Sequence, residues 1–83
     1  MRSKVLTIGV PVAIFYKFDN TQLRDLLSIQ FNNLNTSDIL PAPPGLTVKV
    51  PVRLPAELAD DIKQQALSRS MTIVAFTAAL IGR

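Results

Sequence analysis

Three prolines and a glycine fall within five residues, Pro41-Ala42-Pro43-Pro44-Gly45. Neither a helix nor a strand ladder continues through such a run, because proline lacks the backbone N–H and clashes with a preceding helical turn. The segment 41–45 therefore reads as a semi-rigid linker. It divides the 83-residue chain into an N-terminal half, 1–40, and a C-terminal half, 46–83. Neither half is long enough to bury an adequate core by itself. The chain contains no Cys and no His. Disulfide scaffolds, cysteine-based zinc sites, redox dithiols, histidine general bases and Ser-His or Cys-His triads are thereby excluded. With no covalent or metal staple, the remaining one is a partner subunit, so a homodimer or higher oligomer is expected.

Hydrophobic residues make up 48 % of the chain and charged residues 18 %, which is not the composition of a disordered tail. Nine Lys and Arg against six Asp and Glu give a net charge of +3, a mild bias toward a polyanionic partner. The apolar stretch Val5 to Tyr16 follows a basic start, as in a signal peptide. Lys17-Phe18-Asp19-Asn20 offers no small-residue cleavage site, and the stretch is shorter than the roughly 20 residues that span a bilayer. A cytoplasmic chain with no membrane partner is expected.

In the N-terminal half, Val5 to Ile14 is rich in β-branched residues and reads as a strand. From Asn20 or Thr21, either a good N-cap, Leu23, Leu26, Leu27, Phe31 and Leu34 recur at helical spacing. Arg24, Asp25, Ser28 and Asn32 fall on the opposite face. In the C-terminal half, Thr47 to Leu54 alternates, with Val48, Val50, Val52 and Leu54 on one face and Lys49, Pro51 and Arg53 on the other. Pro55 suits the first turn of a helix, in which Leu58, Ile62 and Ala66 form a ladder. Ser68 to Thr72 interrupts the pattern and contains two N-cap candidates, Ser70 and Thr72. The last helix carries Ile73, Phe76, Leu80 and Ile81, with Val74, Ala75, Ala78 and Ala79 on its other faces. A helix apolar nearly all round is buried on several sides, most simply by a second copy.

Residues 48–81, VKVPVRLPAELADDIKQQALSRSMTIVAFTAALI, resemble a ribbon-helix-helix domain, the DNA-binding fold of the Arc and methionine repressors. The likeness rests on Val52 to Leu58 (strand end, proline, helix start), on the Leu58/Ile62/Ala66 ladder, and on Arg69 to Met71 leading into the second helix. It implies a mainly α fold with a short β-ribbon, made as an intertwined homodimer by residues 46–83, with residues 1–40 as an N-terminal strand-helix extension. It further implies double-stranded DNA as partner, with the antiparallel ribbon in the major groove. Lys49, Pro51 and Arg53 would then face the bases, while Arg69, Ser70, Met71 and Thr72 at the start of the last helix would hold a phosphate. No cofactor, metal site or catalytic residue is implied.

Leu6 to Ile14 also aligns with Leu46 to Leu54 at an offset of 40, with five of nine residues identical. A degenerate tandem ribbon-helix-helix, with both strands in one chain, is the alternative to an extension. In that alignment the first copy's outward positions are Gly9, Pro11 and Ala13. Two functions remain: a small transcriptional repressor or plasmid or phage accessory factor that binds DNA, and an antitoxin-like interaction module. In the second, Phe15, Phe18 and the helix over 21–34 dock a protein partner. An enzyme is not expected, since the one adjacent carboxylate pair, Asp60-Asp61, points in diverging directions from a helix.

Overall fold

A computed structural model describes residues 2–35, 37–40 and 45–82. Residues 41–44 of the proline-rich linker lie outside the described residues. Gly45, its last residue, takes a left-handed φ of 79°, a conformation glycine adopts without penalty.

The element order is β1 (Ser3–Pro11), α1 (Val12–Phe15), α2 (Asn20–Asn32), β2 (Thr47–Pro55), α3 (Ala56–Ser68) and α4 (Ile73–Ile81). The two strands pair antiparallel, from Ser3 opposite Pro55 to Pro11 opposite Thr47. The partner of β2 is therefore β1 of the same chain. The intertwining expected between two subunits is made within one.

Strand–helix–helix occurs twice, and the antiparallel register makes the two strands two-fold related about the Thr7–Pro51 pair. Ser3 corresponds to Thr47 and Pro11 to Pro55, an offset of 44 rather than the 40 of the sequence alignment. Both prolines stand immediately before a helix with closely similar backbone angles, φ −56° and ψ 137° for Pro11 and φ −52° and ψ 139° for Pro55. Val12 N–H donates to the Leu46 carbonyl at 3.0 Å, and Ala56 N–H donates to the Arg2 carbonyl at 3.2 Å, which are equivalent bonds under the same offset. The copies differ in their first helix, four residues in α1 and thirteen in α3. The next helix begins at the same distance afterwards in both, with Asp19 and Thr72 as the N-caps.

Local chemistry explains these boundaries. Pro11 fixes φ at a helix-compatible value and ends the strand three residues before the β-branched pattern does, so Val12 to Ile14 form a helical turn. Asp19, and not Asn20 or Thr21, caps α2: its carboxylate accepts from Gln22 N–H at 2.8 Å, and Gln22 Oε1 accepts from Asp19 N–H at 3.0 Å, a capping box. Thr72 caps α4, its hydroxyl accepting from Ala75 N–H at 3.1 Å. Ser70 has a different role. It adopts φ 57° just past the end of α3, with Ser70 N–H donating to Leu67 and Met71 N–H to Ala66, a Schellman turn.

The inward residues Leu6, Ile8, Val10, Val50, Val52 and Leu54 join Leu23 and Leu27 of α2, Ala59, Ile62 and Ala66 of α3, and Phe76, Leu80 and Ile81 of α4 in one core. The buried stripe of α3 is thus Ala59, Ile62 and Ala66, with Leu58 at its margin. Six consecutive residues of α4, Phe76 to Ile81, are buried. Within the chain their cover is β1, α2 and α3. The Cα radius of gyration, 11.6 Å, agrees with the roughly 12 Å that size scaling gives for a single chain of this length.

Candidate nucleic-acid interface

The pleat that buries Val50, Val52 and Leu54 turns Lys49, Pro51 and Arg53 to solvent, and all three are exposed. Their partners across the ribbon are Gly9, Thr7 and Val5. The corresponding positions of the first copy are therefore Val5, Thr7 and Gly9, in place of the Gly9, Pro11 and Ala13 expected from the offset of 40, and of these Val5 and Thr7 are exposed while Gly9 is buried. The central proline removes no rung of the ladder. Asn20 Nδ2 of α2 reaches the Pro51 carbonyl at 3.5 Å, so the backbone of Pro51 faces away from β1, where no strand waits for an N–H.

Helix α2 runs beside β2 at one end of the ribbon. Between them lies a groove of about 320 Å³ lined by Asn20, Thr21 and Arg24 from the helix and by Val5, Pro51, Val52 and Arg53 from the strands. A second groove of about 190 Å³ continues past it, with Arg2 and Ser3 joining Arg24, Arg53, Leu54 and Pro55. Three guanidinium groups thus border two adjoining grooves, with no acidic residue lining either. Arg53 Nη1 donates to Ser3 Oγ at 3.1 Å, which lays the side chain across the ribbon toward β1. Arg24 meets Asp25 at 3.4 Å, an exposed contact of small energetic weight. Lys49 stands at the opposite end, across from Gly9.

Arg24 and Arg2 are the members of this cluster that sequence reasoning missed. Helical spacing puts Arg24 on the polar face of its helix, but which strand that face meets depends on the pairing of β1 with β2. The tandem alignment put both strands in one chain, and the structure adds that α2 lies beside β2 and α4 beside β1.

The start of α4 is arranged otherwise than expected. Arg69 turns inward: Nη1 donates to the Asp38 carbonyl, Nη2 donates to the Asn35 carbonyl at 3.0 Å, and the guanidinium lies 5.8 Å from the centre of the Phe76 ring. It ties the loop after α2 to the α3–α4 turn. Met71 is half-buried against the core, Ser70 forms the Schellman turn, and Thr72 uses its hydroxyl as the cap.

Among the described residues no group of three or more carboxylate, Cys or His side chains could hold a metal, and no helix is long and apolar enough to cross a membrane. No family model, curated protein or solved structure matches this chain. A two-stranded ribbon with one buried face turns alternate residues outward; the basic side chains at those positions, Lys49 and Arg53, sit on β2, and Arg24 stands on the flanking helix.

Proposed function

We propose that this chain binds double-stranded DNA through the outward face of the β1–β2 ribbon, as a small transcriptional regulator or a plasmid or phage accessory factor. The observation that carries this reading is the exposed pair Lys49 and Arg53 on a ribbon held rigid from behind, with Arg24 and Arg2 beside it. The major groove of B-DNA, about 12 Å wide, admits a two-stranded ribbon, and Arg and Lys suit guanine O6 and N7. Thr7, at the centre of the outward face, adds a hydroxyl and a methyl for base edges. The ribbon-helix-helix likeness of residues 48–81 points the same way, with the difference that both strands come from one chain.

A second reading, a protein-docking module, draws on Phe15, Tyr16 and Phe18. All three are exposed where α1 stops after one turn, Tyr16 at 81 %. One comparison separates the two. Binding sites are selected from random duplex DNA, and Arg53→Ala and Lys63→Ala are measured against the selected and random sequences. DNA reading predicts that Arg53→Ala weakens selected-site binding by about 5- to 100-fold, more than it weakens random-sequence binding, while Lys63→Ala has little effect. Unchanged selected-site affinity in Arg53→Ala would overturn the assignment to the ribbon face.

A further inference from the structure

The duplicated fold makes the two flanks of the ribbon equivalent, and the side chains make them different. Gly9 of β1 corresponds to Arg53 of β2, and Thr77 of α4 corresponds to Arg24 of α2. On the β1 flank the missing side chain lets α4 close onto the strand. A Cβ on Gly9 would lie 2.2 Å from the Val74 carbonyl oxygen and 2.7 Å from Val74 Cγ1. The Thr77 hydroxyl accepts from Gly9 N–H at 2.8 Å and donates to the Ile73 carbonyl at 2.7 Å, so the Gly9 N–H on the outer edge of β1 is satisfied. On the β2 flank the groove of about 320 Å³ stays open, with Arg53 on one wall and Arg24 on the other. The strands repeat the contrast: Lys49, Pro51 and Arg53 are exposed on β2, while of the residues paired with them on β1 Val5 and Thr7 are exposed and Gly9 is buried beneath α4.

We infer that one chain holds a duplex in a single polarity and that its target is non-palindromic; this rests on the DNA-binding reading above. Palindromic operators mirror a two-fold in the protein. Here the two-fold survives in the backbone and is broken in the outward side chains. Charged base readers, Lys49 and Arg53, come from β2 alone, and the sugar-phosphate backbone is gripped on the α2 flank, by Arg24. The second half of a palindrome would meet Val5, Thr7 and a flank closed by α4.

The absence of cysteine from the chain makes a directional test direct. Asp25→Cys in the full chain, exposed and adjacent to Arg24, is coupled to a chelated iron that cleaves nearby DNA, using duplexes selected from random sequence by the unmodified protein. Single polarity predicts scission on one side of the site centre only, moving to the other side when the site is inverted in its fragment. Equal scission on both sides would overturn the single polarity and leave DNA binding standing. Selection that yields nothing bound more tightly than random duplex would overturn the DNA reading and this inference with it. A second variant, Arg24→Ala, is expected to weaken binding about tenfold and to lower the log–log salt slope by about 1. An unchanged slope would overturn the grip assigned to α2.

Discussion

Gly9 shows how one residue without a side chain decides the shape of a face. Its hydrogen lets α4 approach until the backbone N–H meets the Thr77 hydroxyl. Gly9→Ala must push Val74 backbone aside, so it is expected to lower stability by about 1–3 kcal/mol in denaturant titration. Ser70 presents the opposite case: its left-handed φ of 57° strains an L side chain, where most such turns carry glycine. Ser70→Gly is expected to raise stability by about 0.5–1 kcal/mol, and a loss would contradict the assigned turn. Lys4 pairs with Asp60 at 2.8 Å across the surface between β1 and α3, and its ammonium holds the Asp60 carboxyl below the ordinary carboxylate value. A depressed folded pKa favours the native state at pH above the ordinary carboxylate range, and the benefit fades as pH falls through the folded value. Followed by NMR titration, Lys4→Ala should move the Asp60 midpoint upward.

The helices illustrate what a shortened element does to its neighbours. Helix α3 helps to wrap α4, which is why α4 tolerates an almost wholly apolar sequence. The one-turn α1 gives α2 no such cover, and α2 has Asp25 and Ser28 where α4 has Ala78 and Ile81. The stability of α2 then depends more on its own ends. Asp19→Ala removes the carboxylate half of the capping box and is expected to cost about 0.5–2 kcal/mol, read from the urea midpoint at constant slope. Much of this level was legible in the sequence. The alternation over Thr47 to Leu54, the proline-started helix and the Leu23/Leu27 stripe all appear where their periodicity places them. What was not legible depended on distant partners. Arg69 looks like an outward cation until the carbonyls of Asn35 and Asp38 are brought to it. The strand alignment at 40 differs from the structural 44 by an even number, so it keeps every side chain on its proper face and gives no sign of the slip.

At the scale of the whole molecule, the chain solves the problem of its own smallness by pairing one half with the other. The linker at 41–45 and the missing staples said that neither half suffices; the β1–β2 ribbon and the buried α4 are the answer. That ribbon also presents basic side chains, with Lys49 and Arg53 exposed on the strand and Arg2 and Arg24 bordering the grooves beside Arg53. The measurement that tests this account most directly is fluorescence anisotropy of a labelled random-sequence duplex titrated with the protein over a series of salt concentrations. Each phosphate neutralised contributes about −0.9 to the log–log slope, so three or four contacts predict a slope of about −3. Binding that is absent at low salt, or whose affinity does not change with salt, would contradict it.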